Sequence, residues 1–242
     1  MSELFGNTSS AVRSQRQATS ADELDFYPTP PWATRAVLPY LRDIDPALDQ
    51  SVIWEPACGQ GHMAVPLSEC GAYVFGSDLF AHERRASVEE VMSFRGGGFA
   101  PPMDFLGDPA AKIRADWVIT NPPFNLALEF ALRGLEVTRS GVALLVRSNW
   151  AECVERYQRL FSVNPPRAVL QYCERVPMTK GRWDPDASTA TAYAWFIWTK
   201  TPVSYSRLGW IPPGQRQAHH RQSDVDLFCT PPVLPLFDGS AA

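Results

Sequence analysis

Trp117-Val118-Ile119-Thr120-Asn121-Pro122-Pro123-Phe124 is the stretch on which the reading of this chain turns. Its first half is a continuous apolar run, the pattern of a strand buried on both faces. Leu126 to Leu132 follow with the spacing of a helix. An amide, two prolines and an aromatic ring therefore occupy a strand-to-helix turn. In an open α/β sheet, ligands bind outside the carboxyl ends of the strands, where such turns lie.

The same alternation extends in both directions. Further strands are expected at 51–55, 72–77, near 100–105, 141–146, 167–173 and 192–198, besides 116–120. Helical patterns cover 34–41, 63–70, 82–91, 126–139 and 151–162. Apolar strands separated by helices predict a mostly parallel seven-stranded sheet with helices on both faces, an α/β Rossmann-like fold. A polar loop without a helical pattern joins the last two strands, which predicts an antiparallel strand at the sheet edge. Residues 1–22 are rich in Ser, Gln and Thr and read as a mobile segment. One folded domain is expected to span 23–200. Residues 201–242 read as a Pro-rich tail that wraps the surface or stays mobile.

With 242 residues, 45% of them apolar, the chain can bury one sizeable core. It has no apolar run near the ~20 residues needed to span a bilayer. The start of the chain lacks the apolar core of a signal peptide. Cys58, Cys70, Cys153, Cys173 and Cys229 are scattered without a CxxC pair, so neither disulfides nor a metal site is expected. A cytoplasmic setting, in a prokaryotic or phage-infected cell, fits. The net charge of -4 hides an asymmetry: residues 1–138 balance at -8, residues 139–222 at +7 and residues 223–242 at -3. The basic block is almost all Arg, whose forked donors and flat face suit phosphates and bases. A solvated face offsetting an acidic half is the plainer reading.

Strand 51–55 runs into Glu55-Pro56-Ala57-Cys58-Gly59-Gln60-Gly61, and Asp78 closes the next strand. Gly59-x-Gly61-x-x-Ala64 with Asp78 satisfies the spacing of an NAD-binding turn, which makes a nicotinamide-dependent oxidoreductase a competing class. Glu55 weighs against it, because a carboxylate repels a pyrophosphate. A carboxylate suits a cationic ligand such as S-adenosylmethionine, with Asp78 on its ribose. Asp104-Phe105-Leu106 could take up an adenine, Asp by accepting from its amine and Phe by stacking; by base rate Phe105 is core. Phe26-Tyr27-Pro28-Thr29-Pro30-Pro31 reads first as a stiff lead-in to a helix.

The Asn121 turn suits methylation of an exocyclic amine. The nitrogen's lone pair is delocalised into its ring, so it is a poor nucleophile. Two acceptors aimed at its two N–H bonds favour the pyramidal form. The Asn121 side-chain oxygen and the Pro122 carbonyl can supply them, and proline fixes the backbone direction. Phe124 offers a face for a flipped base. Such acceptors strengthen as charge develops and so favour the transition state.

Taken together, these segments resemble class I S-adenosylmethionine-dependent amino-methyltransferases, most closely adenine-N6 DNA methyltransferases of the phage and prophage type. The resemblance rests on 27–31, 55–61, Asp78, 104–106 and Asn121-Pro122-Pro123-Phe124. It implies that Tyr27, Thr29, Glu55, Ala57, Gly59 and Gly61 surround the methionine part of S-adenosylmethionine. Asp78 would then hold its ribose, and Asp104 and Phe105 its adenine. It implies that Asn121, Pro122, Pro123 and Phe124 form the catalytic turn, with Asn121 also at the cofactor. Methyl transfer to adenine in RNA, to cytosine N4 or to protein glutamine shares the same turn. A non-catalytic nucleic-acid-binding module is a third class.

No separate recognition domain is left over, so recognition falls to loops, a partner or a second copy of the chain. Arg147, Asn149, Lys180, Arg182 and Trp183 are the expected contacts to double-stranded DNA, with Trp183 as a wedge exposed in a polar loop. Trp150 reads as packing, and His219 and His220 as solvated. Leu-Phe pairs at 4–5, 227–228 and 236–237 resemble peptides that dock sliding clamps, although chance and simple surface anchoring explain them more readily.

Overall fold

The computed structural model describes residues 26–70 and 73–229. Helix α1 (Pro31–Ile44) starts on a proline, whose missing N–H costs nothing at a helix N-terminus. Strand β1 (Val52–Glu55), helix α2 (Ala64–Ser68), strand β2 (Tyr73–Gly76), helix α3 (Ala86–Phe94) and the two-residue strand β3 (Gly98–Phe99) follow. Strand β4 (Ala115–Thr120) leads through the Asn121 turn into α4 (Ala127–Val137) and β5 (Thr138–Arg147). The turn of helix α5 (Val154–Arg156) widens into a π-helical turn at Tyr157–Phe161. Strands β6 (Ala168–Tyr172), β7 (Tyr193–Thr199) and β8 (Arg207–Ile211) complete the sheet, and α6 (Gln215–His219) and α7 (Gln222–Phe228) close the described chain.

The strand order is β3-β2-β1-β4-β5-β7-β6-β8. Strands β1 to β5 are parallel, β7 runs antiparallel between β5 and β6, and β8 lies parallel to β6. The sheet thus has eight strands where the sequence suggests seven. Its antiparallel strand is interior, and β8 holds the edge instead. That strand falls in the segment read as a tail. The third strand is also earlier and shorter than expected, at 98–99, and Gly97 before it packs so closely on β2 that a Cβ there would meet the Val74 carbonyl at 2.3 Å.

Two apolar layers cover the sheet. One joins α1, α2 and α3 to inward residues such as Ile53, Trp117, Leu145 and Trp195; the other joins α4 and the Trp150 region to Trp54, Val118, Leu144 and Trp198. Fully burying an aliphatic side chain of this kind contributes about 1.5–3 kcal/mol. The four buried sheet tryptophans each find a hydrogen-bond acceptor: Ser77 Oγ for Trp54, Asp45 for Trp117, Tyr172 Oη for Trp195 and the Asn164 carbonyl for Trp198. Helix α6 packs across α1. Arg35, buried in α1, holds both oxygens of Asp224 in α7 at 2.6 and 2.7 Å and both oxygens of Glu69 at 2.7 and 2.8 Å. This buried network fastens the C-terminal helix to the sheet layers beneath it. Among the described residues no helix is long and apolar enough to cross a membrane.

Candidate active site

A cavity opens at the carboxyl ends of β1, β2 and β4, and the strap formed by residues 26–30 crosses it. Glu55 ends β1 and is only 2% exposed. The Thr120 hydroxyl donates to its Oε1 at 3.2 Å, while Oε2 is buried with no hydrogen-bond partner. Burial, and next the charge of Asp78, hold this carboxyl well above the usual carboxylate range; the Thr120 hydrogen bond and Arg84 act in the opposite direction. A buried acid with an unused oxygen favours a cationic ligand group.

The turn after Glu55 is tightly bound. The Cys58 N–H donates to the Ser77 carbonyl at 3.0 Å and the Gly61 N–H to the Cys58 carbonyl at 2.7 Å. Gly59 has a φ of +49°, and a Cβ there would come within 2.3 Å of the Phe26 ring. Glycine therefore serves both the turn and the close approach of the strap. Arg84 braces the outside: its Nε donates to the Gly59 carbonyl at 2.9 Å, and its guanidinium lies 4.2 Å from the Phe99 ring centre. Asp78 accepts from the Gly59 N–H at 2.9 Å and from the Phe80 N–H at 3.1 Å, with His82 Nε2 3.4 Å away. Each carboxylate oxygen can accept a further bond from a ligand hydroxyl.

Beyond Asp78 the cavity becomes apolar. Leu79, Phe80, Phe105, Leu106 and Phe130 line it, with Asp104 at its rim. Phe105 is 2% exposed and packs edge-on to Trp54, so it is at once core and cavity wall. Ala57, Tyr27 and Thr29 line the opposite end, as does the buried His62. Both ring nitrogens of His62 lack partners, and burial pushes its pKa down to about 3. The Phe228 ring stacks on it at 4.1 Å.

The Asn121 turn faces the same cavity. Asn121 Nδ2 donates to the Tyr27 carbonyl at 3.0 Å and lies 3.6 Å from Met178 Sδ; its Oδ1 is buried and unpartnered. The amide is thus oriented from its nitrogen side, leaving its oxygen as an open acceptor. Tyr27 packs against Phe124 at 5.3 Å, and the Arg147 guanidinium lies 4.4 Å from the Phe124 ring centre.

The structure brings Tyr27, Thr29, Glu55, Ala57, Asp78, Asp104, Phe105 and all four residues 121–124 to one cavity, with Gly59 and Gly61 shaping the turn after β1. Of the expected nucleic-acid contacts, Arg147 is exposed beside Phe124, and Asn149, Lys180 and Arg182 are exposed as well. Trp183 is not: it is 7% exposed, edge-on to His62 and Phe228, which removes it as a surface wedge. Trp150 is buried against Phe161, Phe196 and Trp198. Leu227 and Phe228 pack on the chain's own core, so this pair is not presented as a docking peptide; the other two Leu-Phe pairs lie outside the described residues. Residues 1–22 lie outside them as well. His220 is exposed and His219 half-buried. His62, His82, Phe26 and Met178 are site residues that the sequence reading misses. Among the described residues no group of His, Cys, Asp and Glu side chains gathers as a metal site.

The fold has solved relatives. A provisionally named hemolysin from Lactococcus lactis matches with a TM-score of 0.51 and 10% identity, over 77% of this chain and 95% of that one. A provisionally named RNA methyltransferase from Pyrococcus horikoshii matches with a TM-score of 0.48 and 16% identity, over 70% of this chain and 85% of its own. For the magnesium protoporphyrin IX methyltransferase of Synechocystis with bound S-adenosylmethionine, the values are 0.46, 14%, 71% and 79%. At these identities the likeness speaks for the fold alone: a Rossmann-like α/β sheet. No protein-family model and no curated protein matches the sequence.

Proposed function

We propose that this protein transfers a methyl group from S-adenosyl-L-methionine to the exocyclic N6 amine of adenine in DNA. The observation that carries this reading is a pair of buried, unpartnered acceptors in one cavity. Glu55 Oε2 lies at the first turn and Asn121 Oδ1 at the second. A buried acceptor without a partner costs about 1–3 kcal/mol, which a ligand donor recovers.

The residues present fit the cofactor. Glu55 suits its ammonium, Asp78 the ribose hydroxyls, and Asp104 with Phe105 the adenine. A dinucleotide fits worse, because its pyrophosphate would face the buried Glu55 carboxyl and a following helix of only five residues. When bound, S-adenosylmethionine supplies a methyl group already activated on sulfonium. The chain's own residues then act on the target amine. Asn121 Oδ1 and the Pro122 carbonyl accept its two N–H bonds and draw the nitrogen towards a pyramidal shape. They hold those protons more strongly as positive charge grows on nitrogen. One proton then leaves to water. Alignment in a closed cavity supplies much of the remaining rate.

Arg147 beside Phe124, with Asn149, Lys180 and Arg182 exposed, supports a nucleic-acid substrate. Methyl-labelled cofactor and DNA from methylation-deficient bacteria test the reading. Digestion and mass spectrometry should find N6-methyladenine, and Asn121→Ala should abolish it. Label on RNA, on cytosine or on protein instead would reassign the substrate, and no binding of the cofactor would refute the reading.

A further inference from the structure

Residues 173–192 run from β6 to β7 along two parts of the site. Met178 turns inward and sets its Sδ 3.6 Å from Asn121 Nδ2. Three residues on, the Gly181 N–H donates to the Phe26 carbonyl at 2.8 Å, where the strap begins. The bridge between Thr179 and Arg182, with Gly181 at a φ of +80°, makes a tight turn that exposes Lys180 and Arg182. Val176 and Trp183, at 0% and 7% exposure, pin the two shoulders. Arg182 is 75% exposed, with Asp184 3.7 Å away. One short arm therefore touches the catalytic amide, holds the strap and presents cations to solvent.

The geometry points to this arm as the sensor of the substrate's polyanionic backbone, with Met178 as the positioning residue through which it sets Asn121. The inference rests on the proposed function and adds a regulation of the same site. The amide torsion of an Asn is broad and two-fold. Which end faces the cavity depends on what the other end binds. The Tyr27 carbonyl and the Met178 sulfur both accept from Nδ2, and neither can donate, so together they point Oδ1 into the cavity. Both acceptors connect to the arm: Met178 belongs to it, and Tyr27 follows the residue that Gly181 holds. Phosphates drawn to Lys180 and Arg182 would fix the arm and with it the amide. A cofactor in the cavity would lie against the same strap, since Phe26, Tyr27 and Thr29 line it, and by linkage any tightening of one ligand by the other is mutual.

The test uses the full chain labelled with nitrogen-15 at asparagine and a mixed-sequence deoxyoligonucleotide. Binding should shift the Asn121 side-chain amide signals, and added S-adenosylhomocysteine should tighten the oligonucleotide severalfold. Lys180→Ala with Arg182→Ala should weaken the oligonucleotide about tenfold and remove the shift. Met178→Leu should bind both ligands within about twofold of the parent, lose the shift and lower kcat about tenfold at unchanged KM. Met178→Gln, which restores an acceptor, should recover part of that kcat. Absent oligonucleotide binding, an unmoved Asn121 signal in the parent, or an equal shift in Met178→Leu would each overturn the coupling. Intact shifts without methyl incorporation would refute the proposed function alone; methylation without shifts would refute the coupling alone.

Discussion

Glu55 and Asp224 are equally buried carboxylates, each 2% exposed, yet they stand in opposite situations. Asp224 has both oxygens on the Arg35 guanidinium, which also binds Glu69. Glu55 has one hydroxyl on one oxygen and nothing on the other. The first is a closed network that fastens α7 to α1. The second is held open, at a cost to the fold, at the mouth of a cavity. Burial alone does not distinguish a structural acid from a binding acid; the unfilled hydrogen bond does.

Substitutions can break each side of this contrast. The largest expected effect is at the other open acceptor. Asn121→Ala should lower methyl transfer about a thousandfold, roughly 4 kcal/mol, with the cofactor's dissociation constant within about threefold. Unchanged turnover would remove Asn121 from the chemistry. Asp224→Ala leaves Arg35 with Glu69 and the His219 carbonyl, and denaturant unfolding should show a loss of about 3 kcal/mol. If stability held, the network would not be the fastening described.

Glu55→Gln should act in the opposite direction on the fold. A carboxyl whose folded pKa is raised stabilises fully below its unfolded pKa, and that contribution is lost as pH rises through the folded value. At neutral pH the amide should therefore melt higher than the parent while binding the cofactor at least tenfold more weakly. In the parent, pairing with a cation requires the ionised form of Glu55, so any proton the carboxyl still holds is released on binding. Cofactor affinity should then rise with pH, by up to about tenfold per unit, until Glu55 ionises unaided. Calorimetry in buffers of different ionisation enthalpy reads that proton directly; its absence would mean the ligand does not meet Glu55.

The last effect, small near neutral pH, concerns His62. Its depressed pKa of about 3 means that the neutral ring stabilises the fold above the ordinary histidine pKa. That contribution is lost as pH falls from about 6.5, at up to about 1.4 kcal/mol per unit. His62→Phe should flatten this acid limb of the stability curve. An unchanged slope would show that the ring is not buried in solution.

The turns after β1 and β4 were legible because their chemistry is local: strand, glycine or proline, and polar group follow one another in sequence. What lay outside that reading depends on distant partners. Trp183 sits among Gly, Arg and Asp, which suggests solvent; its burial comes from His62 and Phe228, far away in the chain. Strand β8 carries Gly209 and exposes Leu208 and Trp210, so it lacks the continuous apolar signature of β4. Met178 is a thioether, unremarkable until the fold sets it beside an amide. The one-strand error in the sheet has the same origin, since an edge strand is half solvated and weakly patterned.

The contact between Phe228 and His62 carries a consequence for how the protein comes into being. The cavity is walled by residues 26–29 and backed by a ring from residue 228. A ribosome that has released β1 to β5 has therefore made the whole Asn121 turn but not the housing around it. Synthesis must pass α7 before His62 is covered, and long-range closures of this kind come late and slowly. A nascent chain arrested before residue 222 should thus hold a sheet without a finished pocket, and the capacity to bind ligand should appear only as the chain is completed.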